Sequence, residues 1–470
     1  MTTSHRLFMM VVLLVASCNW KKNPYYCPGF PDNNCTEDAA PGSHACTNSA
    51  QCLAPTGVCD LQSDVCVQCT ATEASACSGT FPVCGADDRC RGCISHAECP
   101  SSGACLPDGS CAIAADVAYI APGPMGTDNA TCSIEAPCTT VAKALATARR
   151  YLKLQGTTDE AVTIKDQAVI VLAEPGAMLT RTSNGNILVI DGTSDVQISD
   201  LTINGASGSG AGISLPSGGN QSLTLRRVTM SGNNGTGGAI TVSGGALSIY
   251  QSTITSNSGT GGAITTSGGM INVYQSTISS NNGMNGAITA SGGVLNIYQS
   301  TITSNSGGGV SLSATSFDLE NNIIAKNGSV VTAYGGVLIN QLGSGAHTLE
   351  FNTIAQNGAN TGFTAGVTCQ LVVQPVSLGN NIVYGNTGMQ VSGTNCAWTY
   401  SDIGPDTVSG MGNLSSDPLF VNAAQGNFHI TGSSPVKDQA DPNATLAVDI
   451  DGNARPQGAR RDIGADEYTP

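Results

Sequence analysis

The sequence predicts an all-β solenoid, a parallel β-helix preceded by a small disulfide-rich region. Three observations carry this. A 24-residue repeat runs from 237 to 308 without slippage; glycine fills 58 of 470 positions while charged residues stay at 11%; and fourteen cysteines crowd between Cys27 and Cys111. The repeat reads GGAITVSGGALSIYQSTITSNSGT, GGAITTSGGMINVYQSTISSNNGM, NGAITASGGVLNIYQSTITSNSGG. Each line holds three short apolar alternations broken by Ser-Gly-Gly and Asn-Ser-Gly, so each is three strands and their corners rather than helix. One such coil cannot bury its apolar face alone, and stacking at about 4.8 Å lets the next coil bury it.

The chain starts with Met1 to Arg6, then an uncharged apolar run from Leu7 to Ala16, then Ser17-Cys18. This is the pattern of a signal peptide over 1–17, too short to span a membrane. The run Leu14-Val15-Ala16-Ser17-Cys18 resembles the lipobox of bacterial lipoproteins. That resemblance implies lipidation at Cys18, a membrane partner through the lipid, and, with Asn19 following, a place at the outer membrane or cell surface of a Gram-negative bacterium. Two or three acyl chains would hold the protein stably where one would not.

Residues 18–45 read as a tether. Residues 46–111 hold three four-cysteine units: Cys46, Cys52, Cys59, Cys66; Cys69, Cys77, Cys84, Cys90; Cys93, Cys99, Cys105, Cys111. Units of about 20 residues need staples, so two disulfides per unit are expected, with the pairing open. The alternative is zinc at Cys66, Cys69, Cys90 and Cys93, whose spacing fits a ribbon. Paired cysteines in this number point to an oxidising compartment and to export. The net charge of −15 and the absence of basic runs exclude nucleic acid as an expected partner.

The β-helix with its N-terminal cap is expected over 115–412. Cys132 and Cys138 are candidates for one disulfide, Cys369 and Cys396 for another. From Thr139 to Leu154 the apolar spacing of Val141, Leu145, Ala148 and Leu152 predicts a helix capped by Thr139 or Thr140, a lid for the end of the solenoid. Coils then run from about Ala168 to Asn386, with loops near Ser329–Gly345 and Asn360–Gln374. Met230, Ile254, Ile278, Ile302, Ile324, Ile354 and Val383 align as an interior stack. Three residues later stand Asn233, Asn257, Asn281, Asn305, Asn327, Asn357 and Asn386. This column resembles the asparagine ladder of right-handed β-helices, a structural device that satisfies turn backbone groups.

Four residues before the interior stack stand Arg226, Tyr250, Tyr274, Tyr298, Glu320 and Glu350, expected to face outward. Tyrosines flanked by carboxylates suit glycan contact, and Tyr250, Tyr274, Tyr298, Glu320 and Glu350 are the binding candidates. Two carboxyls about 5 Å apart would also suit a retaining glycosidase. A tyrosine ladder also stabilises a β surface without any ligand.

The closing region, 413–470, carries NFHITGSSPVKDQAD and DIDGNARPQGARRDIGADEY. With the entire stretch from about 116 it resembles the choice-of-anchor Q proteins, bacterial surface proteins with a right-handed, pectate-lyase-like β-helix. The resemblance implies fold and surface location and says little of activity. The sorting tail usual in that family does not follow Pro470, and an anchor at Cys18 would stand in for it. Asp449, Asp451 and Asn453 suggest calcium, but the fuller loop ending in glutamate is missing, and capping is the expected role. No cofactor or metal is expected otherwise.

Between 205 and 316 the only charged residues are Arg226 and Arg227. Polysaccharide lyases of this fold use acids for calcium and a basic residue on the outer wall. The expected role is therefore a non-catalytic surface for adhesion or for polysaccharide. The enzyme alternative, a lyase or glycoside hydrolase, rests on Asp318, Glu320, Lys326 and Glu350. A third reading is a spacer in the cell envelope.

Overall fold

The computed structural model describes residues 45–470. The signal peptide at 1–17, the lipidation candidate Cys18 and the tether as far as residue 44 lie outside the described residues. The chain divides into two compact units between Cys111 and Ala112.

In the first unit the same pairing occurs three times, first cysteine to third and second to fourth. The bonds are Cys46–Cys59 and Cys52–Cys66, Cys69–Cys84 and Cys77–Cys90, Cys93–Cys105 and Cys99–Cys111. Each module opens with a 3-10 turn, at Ser49–Gln51, Ala74–Ala76 and His96–Glu98. A small antiparallel pairing follows, such as Val58–Asp60 on Val65–Val67. The apolar centre of the first module is the cystine itself: Cys46, Cys52, Cys59 and Cys66 form a buried cluster. Closing a loop of about 15 residues is worth about 3 kcal/mol in the chain-entropy account, which substitutes for a core the module lacks. All four sulfurs of the zinc-ribbon spacing are spent in these bonds, so no thiolate is left there to ligate zinc.

The second unit is a parallel solenoid of three sheets, here called first, second and third, with 12, 11 and 10 strands. A coil visits them in that order, as in Ala246–Tyr250, Thr253–Thr255 and Ile264–Thr266. Coil stacks on coil in strict register: Leu247 faces Ile271 and Ile249 faces Val273, and all four are fully buried. The interior stack from Met230 to Val383 is paired rung by rung in the second sheet.

The corners explain the constant Tyr-Gln-Ser-Thr and Thr-Ser-Asn spacing. Gln251 takes a left-handed conformation (φ 49°) and turns the chain from first sheet to second; Ser256 (φ 56°) turns it toward the third. After each left-handed residue comes a buried polar one whose side chain replaces the ladder bonds that a corner cannot make. At the second corner these are the asparagines. Asn281 Oδ1 accepts from Asn257 N and Asn257 Nδ2, while its own Nδ2 donates to Ile254 O, Ser279 O and Asn305 Oδ1. The same linkage joins Asn233 through Asn257, Asn281, Asn305, Asn327 and Asn357 to Asn386, where Gln390 terminates it. A second ladder, not foreseen from sequence, runs up the first corner. There Ser252, Ser276, Ser300, Asn322, Asn352, Asn381 and Ser401 each accept from the backbone N–H of the preceding rung.

Three expectations are corrected. The lid helix spans Val141–Leu145 only, capped by Thr140 as expected; Tyr151–Leu154 is a strand between Val117–Ile120 and Ala168–Ala173. Leu152 is core, but as a strand residue, because Leu152 and Leu154 point inward with the period of two. The coils therefore begin before Ala168, and they continue past Asn386 to Asp402–Gly404. Finally, much of the two expected loops is strand: Val337–Asn340, Leu342–Glu350 and Thr364–Gln370. Cys132–Cys138 closes the loop before the lid, and Cys369–Cys396 joins the third sheet to the first near the C-terminal coils.

The closing region does more than end the stack. It folds back along the outer face of the second sheet, where Phe428 and Ala465 cluster with Ile323, Ala325 and Ala355. Ile430, Val436, Ala440 and Ile463 cover Phe351 and Ile382. The same outward positions one coil earlier are Thr301 and Thr303, half-exposed.

Candidate functional site

The outward column stands on the first sheet in unbroken register: Arg226, Tyr250, Tyr274, Tyr298, Glu320, Glu350. Leu342–Glu350 is longer than its neighbour, yet the extra residues bulge out before His347, so Glu350 still lands beside Glu320. Alternation turns all six outward, half-buried among their neighbours.

The three tyrosine rings stack face to face, with centroids 5.0 and 5.1 Å apart and planes inclined by 5° and 16°. Arg226 closes the pile at one end, its guanidinium 4.3 Å from the Tyr250 ring. Ring faces are thus spent on one another, and solvent meets ring edges and hydroxyls. At the other end the Tyr298 hydroxyl donates to Asp318 Oδ2 at 2.7 Å. Asp318 belongs to a parallel outward row with Ser248, Asn272 and Asn296, in which Asn296 Nδ2 donates to Asn272 Oδ1 and Asn272 Nδ2 to Ser248 Oγ. Sequence reasoning named Asp318 only for catalysis and missed this row; the repeated Ser/Asn two residues before each tyrosine was the available signal.

Asp318, Glu320 and Glu350 form an acid cluster at the end of the column. None takes part in any ion pair among the described residues. Asp318 Oδ1 is shut from solvent with no donor. Burial, reinforced by Asp318 and Glu350, pushes the Glu320 carboxyl up to about 7. Burial, then the charges of Asp318 and Asp441, also raises Glu350. The Tyr298 hydroxyl is raised as well, by burial and by its bond to Asp318.

A retaining glycosidase needs its two carboxyls driven apart, one ionised and one protonated. Here burial raises both carboxyls. A lyase needs a basic group beside the acids. Lys326 is turned to the closing region, where Nζ donates to Ala424 O at 2.8 Å. Arg226 lies four coils from Glu320, about 19 Å at the ordinary strand spacing. A cavity of about 380 Å³ opens among Gln341, Leu342, His347, Val373, Gln374 and Pro375, and no tyrosine or acid of the column lines it.

The alternative of calcium at Asp449 meets a geometric obstacle. Asp449 is fully buried, and its two oxygens accept from Asp451 N, Asn453 N, Asn453 Nδ2 and Glu467 N. Those four donors match the roughly four acceptor positions of a carboxylate. Asp449 builds the loop; it is not poised to ligate.

Residues 211–401 match the family model described as right handed beta helix region. No curated protein matches the chain. Among solved structures, pectate lyase Pel9A is similar at 15% identity and a TM-score of 0.44, over 75% of this chain and 96% of its own. The Dettilon tailspike protein is similar at 13% identity and a TM-score of 0.34, over 69% of this chain and 72% of its own. Residues 211–401 of the parallel solenoid are thus a right-handed β-helix region.

Proposed function

We propose that the protein is a surface-displayed lipoprotein, anchored through Cys18, whose first sheet presents a non-catalytic wall for polysaccharide. The observation that carries the binding reading is the tyrosine column: three hydroxyls at single-coil intervals beside a parallel row of Ser248, Asn272 and Asn296. Two regular rows of neutral donors and acceptors suit a repeating hydroxylated chain. Because the stacked rings show only their edges, contact would run through hydroxyls rather than through sugar faces. The net charge of −15 and the unpaired acids disfavour polyanions, so the ligand class is a neutral polysaccharide. Export is supported by eight disulfides among the described residues, bonds that persist in oxidising compartments.

Glu320 favours one second reading. A carboxyl held near 7 is protonated enough to act as a general acid, as a glycoside hydrolase would require. Electrophoresis of the full chain through gels containing neutral or acidic polysaccharides, with new reducing ends scored in parallel, separates the readings. Retardation by neutral polymers that Tyr274→Ala weakens, without new ends, supports the wall. New ends that vanish in Glu320→Gln would make the protein an enzyme. Indifference to every polymer leaves the envelope spacer.

A further inference from the structure

The closing region gathers buried acid beyond its supply of cation. Asp449, Asp462, Asp466 and Glu467 are all buried, and Arg455 is the buried cation among them, 3.3 Å from Glu467. Three of the four acids have both oxygens satisfied by N–H donors. Asp449 is saturated as described; Asp462 accepts from Asp438 N and Tyr468 N; Glu467 accepts from Gln457 N, Asp462 N and Arg455. Asp466 differs. Its Oδ2 accepts from Ile430 N, while its Oδ1 has no N–H or O–H donor among the described residues and lies 4.0 Å from His429 Nε2. The Asp466 side chain is only 8% exposed.

The imidazole is fixed from behind. Asn427 Oδ1 accepts from His429 N at 3.1 Å, which identifies it as the amide oxygen, and it also lies 2.7 Å from His429 Nδ1. Nδ1 must therefore carry a proton. In the neutral ring the Nε2 lone pair then points at Asp451 Oδ2, 2.7 Å away, with Asp466 Oδ1 beyond. A lone pair facing two carboxylates is repulsive unless a positive charge sits between them. One ligand atom each from His429, Asp451 and Asp466 falls within 4.8 Å of the other two.

We propose that His429, Asp451 and Asp466 bind a divalent transition-metal ion of the zinc type. One imidazole and two carboxylates make a mixed nitrogen and oxygen set that suits zinc better than calcium, which takes oxygen alone. Asn427 Oδ1 fixes the tautomer from the far side of the ring, in the place that a carboxylate, backbone carbonyl or water commonly takes behind a metal-binding histidine. The three ligands come from two separate parts of the closing region, the strand Asn427–Ile430 and the segment 449–467. The ion would therefore tie together the two parts that clamp the second sheet.

The test is equilibrium dialysis of the chelator-stripped full chain against Zn²⁺, with thermal unfolding read alongside. The expected result is one more equivalent bound by the natural chain than by His429→Ala or Asp451→Asn. Zn²⁺ should raise the unfolding midpoint of the natural chain alone, and a hundredfold excess of Ca²⁺ should not displace it. Both substituted side chains are partly exposed, and Asn427→Ala supplies a third variant outside the ligand set, expected to weaken binding about tenfold or more. Equal Zn²⁺ uptake by the natural chain and both ligand variants overturns the proposal, since any remaining uptake then belongs elsewhere. No uptake by the natural chain overturns it too.

Discussion

Two side-chain columns climb the same coils and behave differently. Inside, Asn233 to Asn386 repeats one residue type for seven rungs, each amide bonded to the rung on either side. Outside, the first-sheet column changes from Tyr298 to Glu320 in a single step and continues with Glu350. The inner column has no freedom, because every amide must satisfy backbone groups of two neighbouring coils. The outer column answers only to solvent and to whatever touches it. A change of chemistry there, from stacked rings to crowded acid, is not required by the fold.

The contrast is broken most sharply from inside. Asn281→Ala removes five hydrogen bonds at once and strands Asn257 N, Asn257 Nδ2, Ile254 O, Ser279 O and Asn305 Oδ1 to differing degrees. A buried group left without a partner costs about 1–3 kcal/mol, so a loss of about 3 kcal/mol or more is expected. Denaturant unfolding of the β-helix checks this, and a loss below about 1 kcal/mol would mean that water replaces the amide.

Ser276→Ala tests the other corner. It removes the acceptor for Ser252 N and the hydroxyl's own bond to Tyr274 O, two bonds rather than five. The expected cost is about 1–2 kcal/mol in the same experiment. If it equals that of Asn281→Ala, then the number of ladder bonds is not what sets the cost.

What the sequence made legible follows from the same contrast. The interior stack and asparagine column were readable because the period holds them: Ile254, Ile278 and Ile302 recur at one offset, and so do the asparagines. Tyr151–Leu154 was misread because four residues of strand beside a true helical turn can mimic a helix of four turns; Leu152 is buried under either reading. The left-handed corners were hidden since Gln251 and Ser256 are not glycine, and only the buried Ser252 and Asn257 that follow give them a reason. The fold-back of the closing region was hidden for a different reason. Its contacts join residues far apart, such as Gln299 Nε2 to Asp449 O, 150 positions away. The trace it left, Thr301 and Thr303 giving way to Ile323 and Ala325, announces a cover without naming it. For the candidate site, the tyrosines and glutamates were legible as an outward column, but not that their rings would consume one another's faces.

A smaller effect tests the acidic end of the outer column. The Glu320 carboxyl titrates near 7 in the folded chain against an ordinary 4.5, so between those values the folded chain keeps a proton that the unfolded chain has lost. Stability from this group is therefore greatest below about pH 4.5 and declines as the pH rises to about 7. Solvent reaches this half-buried side chain and screens it, which brings the expected decline to on the order of 1–2 kcal/mol. Glu320→Gln should flatten the thermal midpoint between pH 4 and pH 8 and raise it at the alkaline end. A variant that tracks the natural chain at every pH would show that Glu320 ionises freely, with the cluster loose rather than crowded.

The smallest expected effect is the most informative about function. Tyr274→Phe keeps the ring, its stacking on Tyr250 and Tyr298, and the area it covers, and removes one hydroxyl that bonds no described residue. Stability should change by less than about 0.5 kcal/mol, as for a surface substitution that breaks no buried contact. In the inner column a change of that chemical size is costly, whereas here the fold should not register it. Any loss of retardation in a polysaccharide gel by this variant must then come from the hydroxyl itself. If Tyr274→Phe is retarded like the natural chain while Tyr274→Ala is not, the contact runs through the ring, and the stack must open to receive a sugar.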